Sequence, residues 1–460
     1  MNNTMVNHAA FIFCGGPIFA LGWAPGNNRQ FLAIGAHLSM SDFYQVSSTC
    51  SGPGNIQIWS FGDLANTKQT SFVGTRLEYL ICHDFGGAWA LEWCPVGCQN
   101  DKRMGLLAVA SASGSIPLFS VPQPKASSEI RFPACKPQPV LILELGPYEK
   151  YQCTRISWSK VKPHRTIAGG FVNGYIALWD LLSTSSLLRR GKILYPFKVF
   201  QAHYSIITGL MFSPMSDTHL VSCAHDKFLK YWDLKDTTAP QSKNWRNLST
   251  DVTWLQHWMT CATAVDNIYS AGESTMIFNS IRDFVYEPQS FIANVDSSAL
   301  SISGNDWLNA VALSYDNGQI NLAFGRRQPL VSHDDRKKYI KVVMEPHLYN
   351  FEVKGYEKQT NIGKEGKECA LVDCVSYEEA VGKYGIHFKT DFKMGYREEL
   401  KGNAPNHIHI YPLIAANKVC WNPNINGFLN LAIGYQSGFV IVPRLIFAPQ
   451  DQEKIDDVLS

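Results

Sequence analysis

The sequence predicts an all-β fold in which seven small antiparallel sheets close into a ring, a seven-bladed β-propeller. Two observations predict it: a unit of three strand-length segments recurs along the chain, and the first six units follow one another at intervals of 44 to 60 residues. That spacing is close to the roughly 40–45 residues of a four-stranded blade, with additional loops. Six of the third segments end at Trp59, Phe119, Trp179, Trp232, Phe278 and Leu322.

Each unit begins with an apolar segment that ends in an aromatic residue before a turn. A segment of small residues of the type Leu-Ala-x-Gly follows, and then an alternating segment. In residues 18–59 the three segments read IFALGWAP, FLAIG and NIQIW. Alternation places successive side chains on opposite faces of a strand, and radial packing of neighbouring blades buries both faces. The other units lie in residues 91–119, 155–180, 209–233, 254–278, 299–322 and 419–442.

The two ends of the chain are expected to share one blade. The last unit has only three strands after Ala416, so its outer strand is expected from residues 10–14. This pairing would make residues 1–460 a single propeller. The apolar residues 9–24 are interpreted as strands rather than as a signal peptide or membrane anchor. A Gly-Gly-Pro turn interrupts them, and no Lys or Arg precedes them.

A long charged insertion is expected before the last blade, over residues 326–415. Residues 331–410 carry 13 Lys and Arg and 13 Asp and Glu, a higher density of charge than in the whole chain. Alternating runs within it, such as IHFKTDFKM, indicate that part of it forms strands. Its polarity favours a solvent-exposed excursion, either an ordinary solvated loop or a partner-binding segment.

The fourth unit carries a set of four residues typical of WD repeats, a class of propeller repeat. In WD-repeat propellers these residue types form a buried hydrogen-bond chain that fixes the blade turn. The His–Asp pair is therefore interpreted as structural rather than catalytic. A similar, partial role is expected for His83 and Asp84 before the second unit. The four residues of the expected tetrad are His203, Ser222, Asp226 and Trp232.

Charge is unevenly distributed, although it nearly cancels overall. A net charge of +2, from 41 Lys and Arg against 39 Asp and Glu, excludes a chain that coats nucleic acid as a polycation. Residues 151–250, however, carry 13 Lys and Arg but 5 Asp and Glu. Two basic clusters there are expected to lie largely in loops of blades three and four. They would contact phosphates or an acidic partner, or else be ordinary solvated side chains. The candidate contact residues are Arg155, Lys160, Lys162, Arg165, Arg189, Arg190 and Lys192.

The sequence lacks the motifs that carry common enzyme chemistry. It contains no GxSxG nucleophile elbow, no Walker-type phosphate loop, no HExxH and no dinucleotide fingerprint. We therefore expect no enzymatic activity and no cofactor, and we assign no catalytic residue. The twelve cysteines include no CxxC pair, which is typical of reduced thiols in an intracellular protein. No metal is expected, because the sequence places no further ligand near three candidate pairs. These are Cys94 and Cys98, Cys369 and Cys374, and His407 and His409.

Several stretches resemble one family of WD-repeat proteins, the second subunit (polypeptide 2) of general transcription factor IIIC. They occur in the same order and in matching blades. The resemblance covers roughly residues 80–325 and the last blade. The stretches are ALEWCP followed by MGLLAVA at 90–110, LYPFKVFQAH leading into LVSCAHDKFLKYWDL at 194–234, LST before WL at 248–255, and SISGNDWL at 301–308.

The resemblance implies a nuclear, non-enzymatic scaffold. In that family the propeller joins the largest subunit in the half of the complex that binds the B-box element of transfer-RNA genes, for transcription by RNA polymerase III. The implied partners are the other transcription factor IIIC subunits, with DNA contacted mainly through the assembled complex, and with no membrane or small-molecule substrate. Larger relatives carry a long basic extension before the propeller, whereas the first blade begins here within about 20 residues. Direct DNA binding by this chain is therefore left open.

Two other interpretations remain open from the sequence. One is a WD-repeat adaptor of another kind, such as a ubiquitin-ligase substrate receptor or a chromatin- or histone-binding scaffold. The other, a catalytic subunit with acetyltransferase activity, is disfavoured because the sequence shows no cofactor loop and no acid–base constellation.

Overall fold

The regular structure of the described residues consists of β-strands. Its described part holds 32 strands in seven sheets, which confirms the predicted seven-bladed propeller. No helix in that part has the length and hydrophobicity needed to cross a membrane. The computed structural model describes residues 6–26, 29–38, 45–46, 48–64, 75–96, 98–124, 134–245, 248–256, 260–266, 275–280, 289–293, 297–324, 340–350, 384–390 and 413–445.

The first three blades follow one another in the first half of the chain. Blade one contains β2 (Ile18–Trp23), β3 (Arg29–Ala36), β4 (Gly54–Asp63) and β5 (Arg76–His83), after an N-terminal strand β1 (Val6–Phe13). Blade two contains β6 (Ala88–Trp93), β7 (Arg103–Ser111), β8 (Ile116–Pro122) and β10 (Leu141–Leu143). Blade three contains β11 (Cys153–Trp158), β12 (Thr166–Phe171), β13 (Tyr175–Asp180) and β16 (Lys198–Gln201).

The remaining blades complete the ring. Blade four contains β17 (Ile207–Phe212), β18 (His219–Ala224), β19 (Phe228–Asp233) and β20 (Ser242–Trp245). Blade five contains β21 (Leu248–Leu255), β22 (Thr260–Asp266), β23 (Met276–Ser280) and β24 (Gln289–Ala293). Blade six contains β25 (Ala299–Asn305), β26 (Ala310–Tyr315), β27 (Ile320–Phe324), β28 (Ile340–Asn350) and β29 (Tyr384–Lys389). Blade seven contains β30 (Ala416–Trp421), β31 (Leu431–Tyr435), β32 (Phe439–Leu445) and β1.

The first strands of the seven blades form a closed inner ring. Each contacts the first strand of the next blade, and β30 of blade seven contacts β2 of blade one. In all seven blades the pairing of the first strand with the second shifts register at an equivalent position near the start of the first strand. The shift leaves one residue of the first strand unpaired. The shifted residues are Phe19, Trp89, Thr154, Thr208, Thr250, Leu300 and Asn417.

Threonine at the shifted position joins one blade to the next. In blades three, four and five its hydroxyl donates a hydrogen bond to a backbone carbonyl of the following first strand. The hydroxyl therefore satisfies a backbone carbonyl at the edge of the sheet, where no further strand is paired. The distances are 2.7 Å from Thr154 to Ile207, 2.6 Å from Thr208 to Ser249, and 2.7 Å from Thr250 to Ala299.

The small residues of the second strands allow neighbouring blades to pack closely. A Cβ added at Gly170 on β12 would lie 2.7 Å from Cγ2 of Ile207 in blade four. One added at Gly434 on β31 would lie 2.5 Å from Cγ2 of Ile18 in blade one. Protein interiors are close-packed, so a side chain at these positions would displace the next blade. This contact explains why the Leu-Ala-x-Gly segment recurs.

Strand β1 provides the outer strand of blade seven. It pairs antiparallel with β32, with Ala10 opposite Val442. The strand begins at Val6, before the expected range of residues 10–14. The first and last strands of the described chain therefore lie side by side in one sheet.

Part of the expected insertion extends blade six. Strand β28 pairs with β27 as the fourth strand of that blade, and β29 pairs with β28 as the fifth. The side chains of Val343 and Met344 on β28 are buried, so this run of apolar residues belongs to the blade. Within residues 326–415, the structure otherwise describes only Thr390 and residues 413–415.

Two blades receive outer strands from the blade that follows them. Strand β9 (Ala134–Cys135), which follows β8 of blade two, pairs in parallel with β5 of blade one. A hairpin from blade three, β14 (Arg189–Arg190) and β15 (Ile193–Leu194), extends blade two in the same way, because β15 pairs in parallel with β10. Strand β14 is thus an edge strand of two arginines, and charged side chains discourage such edges from pairing with other chains.

Candidate interaction surface

The four tetrad residues of blade four lie together in the structure. His203 precedes β17 and is fully buried. Its Nδ1 lies 3.0 Å from both carboxylate oxygens of Asp226, and its Nε2 lies 2.7 Å from the hydroxyl oxygen of Ser222. The indole Nε1 of Trp232 donates to the same hydroxyl oxygen at 2.9 Å. The chain of hydrogen bonds therefore runs across strands β19 and β18 to the turn between them.

These hydrogen bonds assign the proton of His203. A carboxylate only accepts, so Nδ1 of His203 carries the proton toward Asp226. The Ser222 hydroxyl accepts from Trp232 and donates its own hydrogen to Nε2, so a neutral imidazole satisfies every group in the chain. Burial lowers the pKa of His203 below its ordinary value and outweighs the opposing effect of Asp226. The arrangement holds a turn, because each polar atom already has a structural partner.

The partial tetrad expected at His83 and Asp84 is not formed, so that expectation was wrong. His83 is buried, accepts the backbone N–H of Phe85 at 3.3 Å, and stacks on the ring of Phe119 with centroids 6.0 Å apart. Burial lowers the pKa of His83 to about 4, against a weaker opposing effect of Asp84. Asp84 lies at the surface, where it pairs with Lys136 at 2.5 Å.

Strand register explains why blade two lacks the tetrad. In the pairing of the first strand with the second, Val109 of blade two takes the position that Ser222 takes in blade four. Phe119 takes the place of Trp232 on the third strand. Blade two therefore has neither the hydroxyl nor the indole that would continue a hydrogen-bond chain from His83.

Arg155 departs from the other candidate basic residues. It lies on β11 in the inner ring and is half-buried, in the first segment of the third unit and not in a loop like the rest of its cluster. Its Nε donates to the carbonyl of Thr208 at 2.5 Å, and its Nη1 donates to the carbonyl of Thr154 at 3.0 Å. The reason is its position next to the register shift of β11, which turns its side chain toward the neighbouring first strand. Arg155 is therefore not part of an outer surface.

Arg165 joins two loops of blade three. Residues 159–165 connect β11 to β12, and residues 181–197 lead from β13 to β16, so both loops leave the same end of the sheet. The guanidinium of Arg165 forms an ion pair with Asp180, with Nε to Oδ1 at 2.9 Å. Its backbone carbonyl accepts the N–H of Leu181 at 2.8 Å. Arg165 is therefore engaged in holding the loops together, and its hydrogen bond lowers the pKa of Asp180.

The other five candidate residues lie on these two loops and are exposed. Both clusters thus belong to blade three, not to blades three and four as expected. None of the five forms an ion pair with a described residue, and residues 159–165 and 181–197 contain no Asp or Glu. Three exposed apolar side chains lie in the second loop. We call these eight residues the blade-three basic surface: Lys160, Lys162, Arg189, Arg190, Lys192, Leu182, Leu187 and Phe197.

A set of charged residues in the inner ring was missed by the sequence analysis. The Nζ of Lys418 on β30 lies 2.6 Å from Oδ2 of Asp251 on β21, and Ser301 donates to the same oxygen at 2.7 Å. Burial would raise the pKa of Asp251, but Lys418 and Arg155 together hold it below its ordinary value. All four residues directly follow the register shift of their first strand. Alignment of the units at that position would have found them.

The described residues hold no group of three or more His, Cys, Asp or Glu side chains arranged for a metal ion. Cys94 and Cys98 lie near each other after β6, with their sulfur atoms 3.1 Å apart. The two other candidate pairs, Cys369 with Cys374 and His407 with His409, lie outside the described residues.

Comparison with known proteins finds relatives along most of the chain. It is 32% identical to general transcription factor 3C polypeptide 2 of Homo sapiens over 341 residues, which are 67% of this chain and 37% of that protein. It is 24% identical to transcription factor tau subunit sfc6 of Schizosaccharomyces pombe over 439 residues, 93% of this chain and 63% of that protein. The chain therefore spans less than two thirds of the length of these relatives.

A shorter match joins the chain to WD repeat and SOCS box-containing protein 1 of Homo sapiens, 28% identical over 138 residues, 29% of this chain and 28% of that protein. No protein-family model matches the sequence. The longer matches confirm the resemblance that the blade stretches predicted. Together with the seven blades, they show that the chain is a WD-repeat β-propeller homologous to the polypeptide 2 subunit of general transcription factor IIIC.

Proposed function

We propose that the chain is a scaffold subunit of the transcription factor IIIC complex and acts in the nucleus. Its homology to two proteins named as transcription factor components, over 67% and 93% of the chain, carries the proposal. In this role it helps to assemble the half of the complex that binds the B-box element of transfer-RNA genes, for transcription by RNA polymerase III. Its partners are the other subunits, especially the largest, and DNA is contacted mainly through the assembled complex.

The connected loops of the ring support a scaffold role. Trp307 of blade six donates its indole N–H to the carbonyl of Pro423 in blade seven at 3.1 Å. Asn424 of blade seven donates in turn to the carbonyl of Ala24 in blade one at 2.9 Å. Loops that are already fixed lose less conformational freedom when a partner binds. A ring linked in this way presents a constant surface to several subunits.

The proposed role involves no catalysis. His203 and Asp226 are the residues most like an acid–base pair, but His203 is fully buried and both of its ring nitrogens have structural partners. A substrate would have to displace Ser222 to reach Nε2. Acetyl transfer by the purified chain, if abolished by a single substitution, would contradict this part of the proposal.

Affinity purification of the tagged full chain from nuclear extract tests the proposal. The eluate is assayed on a transfer-RNA gene fragment and on the same fragment with its B-box altered, with extract lacking the tagged chain as control. We expect the largest transcription factor IIIC subunit to co-purify, together with binding that the altered B-box abolishes. Recovery of ubiquitin-ligase or histone components without transcription factor IIIC subunits would overturn the proposal. That result would favour the adaptor role, for which the short WD repeat and SOCS box match is the present support.

A further inference from the structure

We propose that the blade-three basic surface docks an acidic protein segment that also carries apolar side chains. The inference rests on the proposed scaffold function, because it names one surface of the scaffold and the chemistry of the partner that it holds. Exposed cations, exposed apolar side chains and a fixed loop geometry lead to it.

The surface has positive charge that the described residues leave unmatched. Its five cations are exposed, and no described carboxylate forms an ion pair with them. The described carboxylates near the loops are already engaged. Asp180 is paired with Arg165, and Asp217 of blade four also interacts with Arg165. Glu92, which interacts with Lys160, is half-buried. An acidic segment would supply the missing carboxylates. Complementary charge of this kind sets the orientation of a partner and speeds its association.

Apolar side chains among the cations favour a protein partner over nucleic acid. Leu182 is 60% exposed, Leu187 84% and Phe197 50%. Leu187 lies two residues before Arg189, so one bound segment would reach both. Burying apolar surface on binding is favourable, a gain that a phosphate backbone does not offer. Interfaces with DNA are instead more polar and more strongly charged than interfaces with protein.

The structure holds the surface ready for a partner. The β14–β15 hairpin is fixed to the sheet of blade two by the pairing of β15 with β10. The guanidinium of Arg190 lies over the ring of Tyr195, 5.9 Å from its centroid. Arg165 ties the first loop to the second through Asp180 and Leu181. A second copy of the chain is an unsuitable occupant of this edge, because two β14 strands would bring four arginines together.

Fluorescence anisotropy with the purified full chain tests the proposal against three labelled probes. The first is a short peptide of alternating Glu and Leu, the second is the same peptide with Ser in place of Leu, and the third is a duplex DNA of random sequence. We expect the Glu/Leu peptide to bind most tightly. The double variant R189E/R190E is expected to weaken that binding by about tenfold or more. The variant Leu187→Ser should weaken binding of the Glu/Leu peptide and leave that of the Glu/Ser peptide unchanged.

The double variant K150E/K227E is the matched control. Both lysines are exposed and lie at the opposite end of the sheets, between β10 and β11 and between β18 and β19. This variant changes the net charge of the chain as much as R189E/R190E does, so it should leave binding of the Glu/Leu peptide unchanged. If both double variants bind the Glu/Leu peptide equally weakly, the peptide is attracted only by the net charge of the chain. That result would overturn the proposal.

Two further results would overturn the proposal. Tighter binding of the duplex, with no effect of Leu187→Ser on any probe, would assign the surface to nucleic acid. Failure of the folded parent chain, verified by circular dichroism, to bind the Glu/Leu peptide would leave the surface without this role. Such a failure is separate from that of the scaffold function, because co-purification of the largest subunit is measured in a different experiment and does not depend on the peptide.

Discussion

Lys418 of blade seven and Asp251 of blade five form an ion pair, with Nζ and Oδ2 2.6 Å apart, past the first strand of blade six. Ser301 on that intervening strand donates to the same carboxylate oxygen at 2.7 Å. One carboxylate therefore connects three consecutive blades at the inner ring. The threonine hydroxyl contacts between first strands end at blade six, where the last of them joins Thr250 to Ala299. The Asp251 carboxylate continues the connection from there to blade seven.

Replacing Lys418 by Met is expected to lower the free energy of unfolding by about 3 kcal/mol or more. The change removes the nearest counter-charge of the Asp251 carboxylate, which is only 5% exposed, and leaves the more distant Arg155. Urea denaturation measures the loss. Adding Asp251→Asn to this variant should recover part of the stability, because the buried charge that has lost its ion-pair partner is then gone. A single variant as stable as the parent would contradict the importance of the pair.

Replacing Ser222 by Ala is expected to cost about 1–3 kcal/mol of stability. The indole N–H of Trp232 and Nε2 of His203 would both remain buried without their shared partner. Thermal unfolding followed by circular dichroism checks this loss. Ser185→Ala, at an exposed position in the second loop of blade three, is the control and should be close to neutral. Equal stability of the two variants would show that the hydrogen-bond chain does not hold the blade.

Acid is expected to destabilise the protein through His83. Its pKa is lowered by burial from 6.5 to about 4, so the unfolded chain binds a proton more readily than the folded one. The stabilisation is complete above about pH 6.5 and is lost as the pH falls toward 4. Burial of His203 acts in the same direction.

Urea unfolding at several pH values across this window tests the contribution of His83. The variant His83→Phe should show a weaker loss of stability on acidification, because an aromatic ring without a titratable group would pack against Phe119. His8→Gln on β1 is the control and should keep the pH dependence of the parent. The same pH dependence in His83→Phe and in the parent would show that another group is responsible.

Replacing Gly170 by Ala is expected to cost about 1–3 kcal/mol through overpacking. The new Cβ would lie 2.7 Å from a methyl group of Ile207, so blades three and four would have to move apart. Gly146→Ala is the matched control, since a Cβ there meets nothing within 4 Å. Denaturation of the two variants side by side measures the difference. If both lose the same stability, the close approach of the blades is not the cause.

Replacing Arg165 by Ala is expected to loosen the second loop of blade three without much change in overall stability. An exposed ion pair contributes at most about 1 kcal/mol, but this one also positions the loop that carries Arg189 and Arg190. Amide hydrogen exchange should therefore become faster in residues 181–197 and stay unchanged in blade five. Asp180→Asn, which removes the other partner, should have the same local effect. Unchanged exchange in both variants would show that other contacts fix the loop.

The parts of the fold that depend on local pattern were predictable from the sequence. Alternation and small-residue segments identified the blades, because they reflect packing inside one unit. The four residues of the blade-four tetrad lie within about one unit, so their spacing was visible as well. Asp251, Ser301 and Lys418 lie in three different units. They are related only because each occupies the equivalent position in its unit, directly after the register shift.

Features that depend on contacts between blades were not predictable. The parallel pairing of β9 and β15 with neighbouring blades involves two residues in each case, too few to leave a pattern. The hydrogen bonds of Arg155 to the neighbouring first strand were not predictable, because the sequence does not show where a strand shifts its register. The fourth strand of blade six was assigned to the insertion, since charged residues surround the buried Val343 and Met344.

The pairing of β1 with β32 has a consequence for biosynthesis. A ribosome makes Ala10 before the strands of the six other blades, and its partner Val442 only after them. Blade seven therefore stays incomplete while the six other blades emerge, and no shortened nascent chain can close the ring. Assembly with any partner that recognises the closed ring must wait until translation has passed β32, so premature termination yields chains that such a partner rejects.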